Sequence, residues 1–214
     1  MRTILVMNAK GGSGKSTICT NLASYFAHNE EANVCIEDHD QQGSSTDWLT
    51  IRPDDYPTIN GLLGWKGSPK SLPGMDYIIL DAPAAIKGKE LAKLIRRAET
   101  ILIPVLPSPM DIRAAARFIQ DILLVGKVSK KQVKIGVIAN RVREYTQIFQ
   151  QLERFLKRLD FSFVARFRDT QNYVRSAEKG IGLHEMPPST VYEDIDQWET
   201  LIKWLKSKRS LPNK

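Results

Sequence analysis

A glycine-rich segment near the amino terminus has the residue types that bind phosphate groups. Lys10-Gly11-Gly12-Ser13-Gly14-Lys15-Ser16-Thr17 directly follows the apolar run Thr3-Ile4-Leu5-Val6-Met7. Three glycines let successive backbone N–H groups converge on a polyanion without interference from Cβ atoms, and a following helix adds the positive end of its dipole. The segment therefore predicts a nucleotide phosphate-binding turn between a strand and a helix.

Individual side chains of this turn have predicted tasks. Lys15 would reach the outer phosphates, and the Ser16 hydroxyl would ligate Mg²⁺. The ordinary pattern G-x-x-x-x-G-K-[ST] requires glycine at position 9, where this chain has Ala9, and it makes no demand for Lys10. The match is therefore to a variant, and its predicted nucleotide-binding residues are Gly11, Gly12, Ser13, Gly14, Lys15, Ser16 and Thr17.

Carboxylates end two of the predicted strands. Asp38 and Asp40 follow Asn33–Glu37, and Asp81 follows Tyr77–Leu80. Ligands of open α/β sheets bind at the carboxyl ends of the strands, so these side chains are candidates for phosphoryl-transfer chemistry beside the phosphate loop. The structural alternatives are a turn-forming aspartate at a strand end and, for Asp81, a cap on the next helix. His39 is assigned no role.

The variant pattern KGG-x-GK-[ST] resembles the deviant Walker A motif of the ParA/MinD ATPase family. The resemblance extends from Met1 to about Gly180 and is closest to small ParA-type partition or carboxysome-positioning ATPases. It implies a single-domain P-loop NTPase that binds ATP and Mg²⁺. It also implies that Lys10 is catalytic: this lysine would cross the interface of an ATP-dependent homodimer and contact the phosphates bound by the partner.

The resemblance assigns roles to residues outside the phosphate loop. Glu37–Gln42 is similar to the family's D-x-D-P-Q motif, with Gln41 in place of proline. By that match Asp40 would orient or polarise the attacking water, and Asp38 would support the Mg²⁺ shell or the neighbouring loop. Asp81 matches a Walker B aspartate, which holds Mg²⁺ through a bound water.

Two further stretches resemble the far side of the nucleotide site. Asn140 and Arg141 stand where relatives recognise adenine, and an asparagine amide can both donate and accept hydrogen bonds at the purine edge. A turn asparagine at a strand end is the alternative. Phe167–Gln171 resembles the loop that closes over the base, and Ile103–Asp111 resembles a proline-rich strand end at the dimer interface.

Alternation of apolar strands with amphipathic helices predicts an α/β fold, with a mostly parallel sheet covered by helices on both faces. Pro53–Gly74 reads as a loop with at most a short helix near Ile59–Leu63. A capping box of Thr190 and Glu193 predicts the start of a last helix, Thr190–Lys208. The predicted strands are Thr3–Asn8, Asn33–Glu37, Tyr77–Leu80, Ile101–Val105, Val133–Ala139 and Ser162–Ala165. The other predicted helices are Lys15–Asn29, Lys87–Ala98, Asp111–Val125 and Gln147–Leu159.

Length and composition fit one soluble domain over residues 1–214. Apolar residues make up 42% of the 214 residues, which is enough to fill a core. No apolar run approaches the roughly 20 residues of a membrane span, and no signal peptide precedes the first strand, so a cytoplasmic protein is expected. Cys19 and Cys35 lack metal-ligand spacing and are expected to be small core residues.

An excess of basic residues predicts a polyanionic partner. The chain has 31 Lys and Arg against 24 Asp and Glu, a formal charge of +7. Such a balance favours nonspecific DNA through counterion release. By resemblance, the protein would bind the nucleoid as an ATP dimer, and a small adaptor protein would stimulate hydrolysis. Candidate DNA contacts are Arg154, Lys157, Arg158, Arg166, Arg175, Lys203, Lys206, Lys208 and Arg209.

Two other classes stay open at this point. Thr190–Lys208 has an apolar side with flanking lysines, so it could be a MinD-like membrane-targeting helix, although packing on the domain explains the same pattern. The phosphate loop also serves nitrogenase-type reductases and the ATP-dependent ligases of cofactor synthesis. Missing paired cysteines argue against a reductase, and only Trp65-Lys66-Gly67 suggests a hidden pocket for a small substrate.

Overall fold

The computed structural model describes residues 1–67, 72–126, 132–143, 146–158 and 161–212. These residues form one seven-stranded sheet in which every neighbouring pair of strands is parallel. The strand order is β3-β2-β4-β1-β5-β6-β7. The strands are β1 (Arg2–Val6), β2 (Val34–Asp38), β3 (Asn60–Leu63), β4 (Tyr77–Asp81), β5 (Thr100–Val105), β6 (Lys134–Val142) and β7 (Ser162–Arg168).

Helices cover both faces of the sheet. Because a parallel sheet is buried on both sides, its central strands are apolar at consecutive positions: Ile4 and Val6 face one core, and Leu5 and Met7 face the other. The first core receives α1, α2 and α7, and the second receives α3, α4 and α5. The helices are α1 (Lys15–Asn29), α2 (Ser44–Thr50), α3 (Gly88–Arg97), α4 (Pro109–Gly126), α5 (Gln147–Arg158), α6 (Asn172–Glu178) and α7 (Pro188–Lys206).

The predicted α/β fold is confirmed, but the local predictions were wrong for β3 and incomplete for two short helices. Residues 60–63, where at most a short helix was expected, form the edge strand β3, which pairs with β2 from Cys35 to Asp38. The short helices α2 and α6 were not predicted. Leu159, included in a predicted helix, lies outside the described residues.

The start predicted for the last helix was also wrong. Helix α7 begins at Pro188, and its N-cap is Pro187, without a side-chain cap bond. Proline suits the first helical position because that N–H would be unpaired in any case. Glu193, which was expected in a capping box, instead contacts Arg168 of β7. The capping box therefore does not form.

Packing on the sheet, rather than exposure for a membrane, explains the apolar side of α7. Trp198, Leu201 and Leu205 are fully buried in the first core. The Trp198 ring stacks on Phe167 of β7, with ring centroids 4.5 Å apart. Within the described ranges, no helix combines the length and the apolar composition that crossing a bilayer requires.

Parallel register brings the candidate site residues to one edge of the sheet. In the ladders, Asp81 of β4 pairs with Val6 of β1 on one side and with Asp38 of β2 on the other. The phosphate loop, which follows β1, therefore begins beside both carboxylates. This is the carboxyl edge, where ligands of open α/β sheets bind.

Candidate functional site

The glycine-rich loop has the backbone conformation of an anion cradle. Gly12 and Gly14 have φ angles of 73° and 91°, a region that side chains other than glycine rarely adopt. Apart from the glycine itself and its two chain neighbours, no described residue has an atom within 4 Å of the position that a Cβ atom of Gly11 or Gly12 would take. Helix α1 begins directly after Gly14, which has no side chain to cap it, so the first helical N–H groups remain available to an anion.

A hydrogen bond from Asn140 connects β6 to this loop. Its side-chain Nδ2 donates to the Ser13 carbonyl oxygen at 2.8 Å, and the residue is 6% exposed. A Cβ atom on Gly14 would lie only 2.2 Å from the same Nδ2 atom, so the contact also requires glycine there. The structure thus places Asn140 against the phosphate loop and gives its amide a task that the sequence did not suggest.

The two lysines of the loop have different surroundings. Lys15 is 7% exposed, and its Nζ donates to the Lys10 carbonyl oxygen at 3.4 Å. Lys10 points away from the loop, and its Nζ lies 3.0 Å from Asp111 Oδ1 at the start of α4. The Lys10 side chain is 38% exposed. Lys15 therefore lies within the cradle, whereas Lys10 lies at its rim.

Asp81 is a buried carboxylate with one unused oxygen. Its Oδ2 accepts a hydrogen bond from Ser45 Oγ at 2.5 Å, and its Oδ1 has no hydrogen-bond partner among the described residues. Burial raises the pKa of Asp81 to about 6, although the nearby Ser45 and Ser16 hydroxyls lower it. An unpartnered buried oxygen close to Ser16 fits the environment of a Mg²⁺ ion with its bound waters.

The carboxylates of Asp38 and Asp40 accept different hydrogen bonds in the turn that follows β2. Asp38 Oδ1 accepts from the Asp40 N–H at 3.0 Å, and Asp38 Oδ2 accepts from Thr46 N–H and Oγ1 at 3.1 and 3.0 Å. Asp38 thereby caps the first turn of α2 from outside. Asp40 is half-buried, and its Oδ1 accepts from the Gln42 N–H at 3.0 Å.

A cleft of about 570 Å³ joins the phosphate loop to α6 and to the end of β7. Asp40 lines it on one side, and Asn140 and Arg141 line it on another. Arg141 has a strained φ of 53°, and its exposed side chain donates to Asp169. The stretch predicted to lie over a base also reaches the cleft, which is lined there by Phe167, Arg168, Asp169, Thr170 and Gln171.

Several residues of the site were missed by sequence reasoning. Ser45 and Thr46 lie in a helix that was not predicted, and they hold Asp81 and Asp38. Asp111, the partner of Lys10, is distant in sequence, and a single chain carries no signal that would pair them. Tyr173 and Val174 of α6 line the far end of the cleft. The polar residues that follow β2 were the available signal for Ser45 and Thr46.

The cysteines are core residues, as predicted. Cys19 and Cys35 are free and buried, and burial raises the pKa of both thiols. Among the described residues, no group of three or more His, Cys, Asp or Glu side chains is arranged to hold a metal ion by itself. Proteins commonly hold Mg²⁺ with one or two carboxylates together with waters and substrate phosphates.

Comparison with known proteins gives a consistent result. A family model described as the CobQ/CobB/MinD/ParA nucleotide binding domain matches residues 4–183. The maintenance of carboxysome distribution protein A of Halothiobacillus neapolitanus is 26% identical over 169 residues, which are 73% of this chain and 74% of that protein. The chromosome-partitioning ATPase Soj of Thermus thermophilus is 26% identical over 191 residues, which are 73% of this chain and 76% of that protein.

A solved structure is similar to this chain in fold. The ATP complex of an aspartate-to-alanine variant of Cyanothece McdA superposes with a TM-score of 0.71 at 18% identity, over 97% of each chain. At this level of identity the likeness concerns the fold alone. The sheet, its flanking helices and the position of the phosphate loop are thus features of a known architecture.

Proposed function

The chain belongs to the CobQ/CobB/MinD/ParA nucleotide-binding domain family, and we propose that it is a ParA-type ATPase that positions a cargo in the cell. The cargo would be a plasmid or a protein body such as a carboxysome. The observation that carries the proposal is the arrangement of the phosphate loop, Lys10, Asp40 and Asp81 at one sheet edge. Relatives that distribute carboxysomes or partition chromosomes support the choice of cargo.

ATP would bind in the cleft with its phosphates in the glycine-rich loop. Lys15 would contact the outer phosphates after exchanging its backbone partner, the Lys10 carbonyl, for phosphate oxygens. The Ser16 hydroxyl and the unused Oδ1 atom of Asp81 would hold Mg²⁺, the latter through a water. When bound, Mg²⁺ supplies charge neutralisation at the β- and γ-phosphate oxygens.

Hydrolysis would depend on Asp40. Its carboxylate lies in a turn that two hydrogen bonds stabilise. The Asp40 N–H donates to the Asp38 carboxylate, and the Gln42 N–H donates to the Asp40 carboxylate. From there it would orient the attacking water toward the γ-phosphate. Since phosphoryl transfer needs positioning and charge stabilisation more than covalent chemistry, a well-held carboxylate is sufficient for this role. We assign Asp38 to the support of this loop, because both of its oxygens already accept hydrogen bonds from protein groups.

Two copies would associate face to face when ATP is bound. Lys10 would then release Asp111 and reach the phosphates held by the partner. The partial exposure of Lys10 supports this role, because a lysine at the rim of the cleft can change partners without unpacking the core. We further propose that residues 1–214 act as one ATPase domain and that a small adaptor protein stimulates turnover.

The ATP dimer would bind nonspecific DNA of the nucleoid, in the cytoplasm. Seven of the candidate basic residues have described side chains, and all seven are exposed. Lys203 and Lys206 are partly neutralised by Glu199 and Glu30, at 2.7 Å in each case. The stronger candidates for phosphate contacts are therefore Arg154, Arg175, Lys208 and Arg209.

A DNA-binding titration tests the proposal. Affinity for a nonspecific duplex would be measured with ATP, ADP, a nonhydrolysable ATP analogue or no nucleotide, over a range of salt concentrations. We expect binding with ATP and the analogue, a salt slope that counts phosphate contacts, and stronger ATP-dependent binding by Asp40→Ala. Equal affinity in all four conditions at physiological salt would contradict the proposed switch.

The alternatives receive less support. A membrane-targeting role would need the apolar side of α7, which is buried in the core. Liposome co-sedimentation in the presence of ATP would detect such a role directly. ATP turnover that requires a small metabolite and ignores DNA would instead favour a cofactor-synthesis ligase.

A further inference from the structure

Glu37, a buried carboxylate directly before the Asp38–Gln42 turn, contacts Arg97 and His39, which have no role in the hydrolysis proposed for Asp40. Glu37 of β2 is 1% exposed, and its side chain faces the last residue of α3. The Arg97 guanidinium binds it through two contacts, each of 2.7 Å: Nη2 to Oε1 and Nη1 to Oε2. His39 Nε2 lies 3.0 Å from the same Oε2 atom. Arg97 ends α3, so the cluster links that helix to the turn.

The chemistry of the cluster fixes the direction of the histidine contact. Although burial alone would raise the pKa of Glu37, hydrogen bonds from His39 and Arg97 keep it below its usual value. An ionised carboxylate can only accept hydrogen bonds, so His39 Nε2 must be the donor. The ring is therefore held in one orientation by a charge-assisted hydrogen bond to a carboxylate that Arg97 immobilises.

His39 stands between Asp38 and Asp40 in the sequence. Its backbone N–H donates to the Asp81 carbonyl oxygen at 2.9 Å, which extends the β2–β4 ladder by one residue. The His39 ring packs against Gly64, where a Cβ atom would lie 2.5 Å from the nearest ring atom. Both the main chain and the side chain of His39 are thus fixed, and the next residue is Asp40.

We propose that His39, anchored by Glu37 and Arg97, is a positioning residue for the Asp40 carboxylate. The anchored ring limits rotation of the main chain at the point where β2 ends and the turn begins. Asp40 then presents its carboxylate to the cleft in one direction. The kinetic part of this inference rests on the proposed ATPase function, whereas the structural part concerns the turn alone.

Two amide substitutions of different length test whether the hydrogen bond from position 39 to Glu37 matters. Glutamine at position 39 can place its amide nitrogen near the position of Nε2 and still donate to Glu37, whereas asparagine is too short to do so. His39→Gln and His39→Asn would be compared with His28→Asn, a matched control at an exposed position of α1. Gly64→Ala displaces the ring without changing it, and serves as an independent variant.

The first readout is amide hydrogen exchange without nucleotide, which does not depend on any activity. The Asp40, Gln42 and Gly43 N–H groups all donate within the turn. We expect their exchange to be about tenfold faster in His39→Asn and Gly64→Ala, and close to the parent rate in His39→Gln and His28→Asn. Unchanged protection in His39→Asn and Gly64→Ala would overturn the structural part.

The second readout is steady-state ATP hydrolysis together with the affinity for a nonhydrolysable analogue. We expect kcat to fall about 10- to 100-fold in His39→Asn, with KM and analogue affinity nearly unchanged and with substantial rescue by glutamine. A parent protein that hydrolyses ATP and a His39→Asn variant with the same kcat would overturn the positioning role only. A parent protein without ATP turnover would instead refute the proposed function.

Discussion

Lys10 Nζ lies 3.0 Å from Asp111 Oδ1, so the lysine that distinguishes this phosphate loop is paired with a residue of its own chain. The Lys10 N–H is held as well, because it donates to the Asn8 side chain at 3.1 Å. Asp111 in turn accepts a hydrogen bond from the Ser108 hydroxyl. The Lys10 side chain is 38% exposed, so water screens the ion pair and the lysine can change partners.

We predict that Lys10→Ala separates nucleotide binding from association. Lys15 and the backbone of the loop remain, so affinity for ATP should fall by less than about tenfold, the effect of losing one partly exposed charge. ATP-dependent dimerisation should be lost, because the contact to the partner's phosphates is removed. Equilibrium dialysis and sedimentation velocity measure the two effects. An ATP dimer of unchanged stability with normal turnover would contradict the role of Lys10.

We predict that Asp111→Asn has the opposite effect on association. Without the ion pair Lys10 is free to reach the partner, and a partly exposed pair of this kind is worth about 1 kcal/mol. The ATP dimer should therefore form at a protein concentration about two- to fivefold lower per released lysine. Asp121→Asn, at an exposed position of the same helix, is the matched control. Weaker dimerisation of Asp111→Asn than of the control would show that Asp111 has another role.

We predict that the contact of Asn140 with Ser13 contributes to stability and to nucleotide affinity. Asn140→Ala removes a buried hydrogen bond and should lower the free energy of unfolding by about 1–3 kcal/mol. Asn140→Asp should be worse, because an ionised carboxylate cannot donate to the Ser13 carbonyl. Urea unfolding measures stability, and ATP titration measures affinity. Equal stability of the alanine and aspartate variants would argue against the hydrogen bond.

The local part of the site could be predicted from sequence, whereas its long-range contacts could not. The loop between β1 and α1 depends on glycine spacing, and Asp81 ends an apolar run, so both are visible in a single chain. The pair of Lys10 and Asp111 forms only because β5 lies beside β1 in the sheet. Asn140 reaches the loop from 127 residues away, through the same sheet order.

Weak local signals explain the errors in secondary structure. Strand β3 consists of Asn60, Gly61, Leu62 and Leu63, of which two are residues with low strand propensity. It is a strand because its backbone pairs with the buried β2, which is a tertiary effect. Helix α2 is only seven residues long, and its first turn is capped by Asp38 from outside the helix. The sequence within either segment does not indicate its partner, which is β2 for β3 and Asp38 for α2.

The final prediction concerns His184, which lies between α1 and α7, away from the cleft. Its ring is edge-on to Tyr25, with centroids 4.8 Å apart, and its Nδ1 is buried without a hydrogen-bond partner among the described residues. Burial lowers the pKa of His184 to about 4, with a smaller contribution from His28. In the unfolded chain this pKa returns to about 6.5, so the unfolded state binds a proton first as the pH falls.

The contribution of His184 to stability should therefore be lost as the pH decreases from about 6.5 toward 4, and be fully present above that window. Between pH 7 and pH 4.5 the contribution of His184 to this loss is about 2 kcal/mol, the free energy of binding one proton more readily in the unfolded chain. His184→Leu keeps an apolar side chain against Tyr25 and cannot bind that proton. Its urea-unfolding free energy should decrease by about 2 kcal/mol less than the parent value over the same pH range. Parallel pH profiles for the two proteins would mean that His184 is already accessible to protons in the folded state.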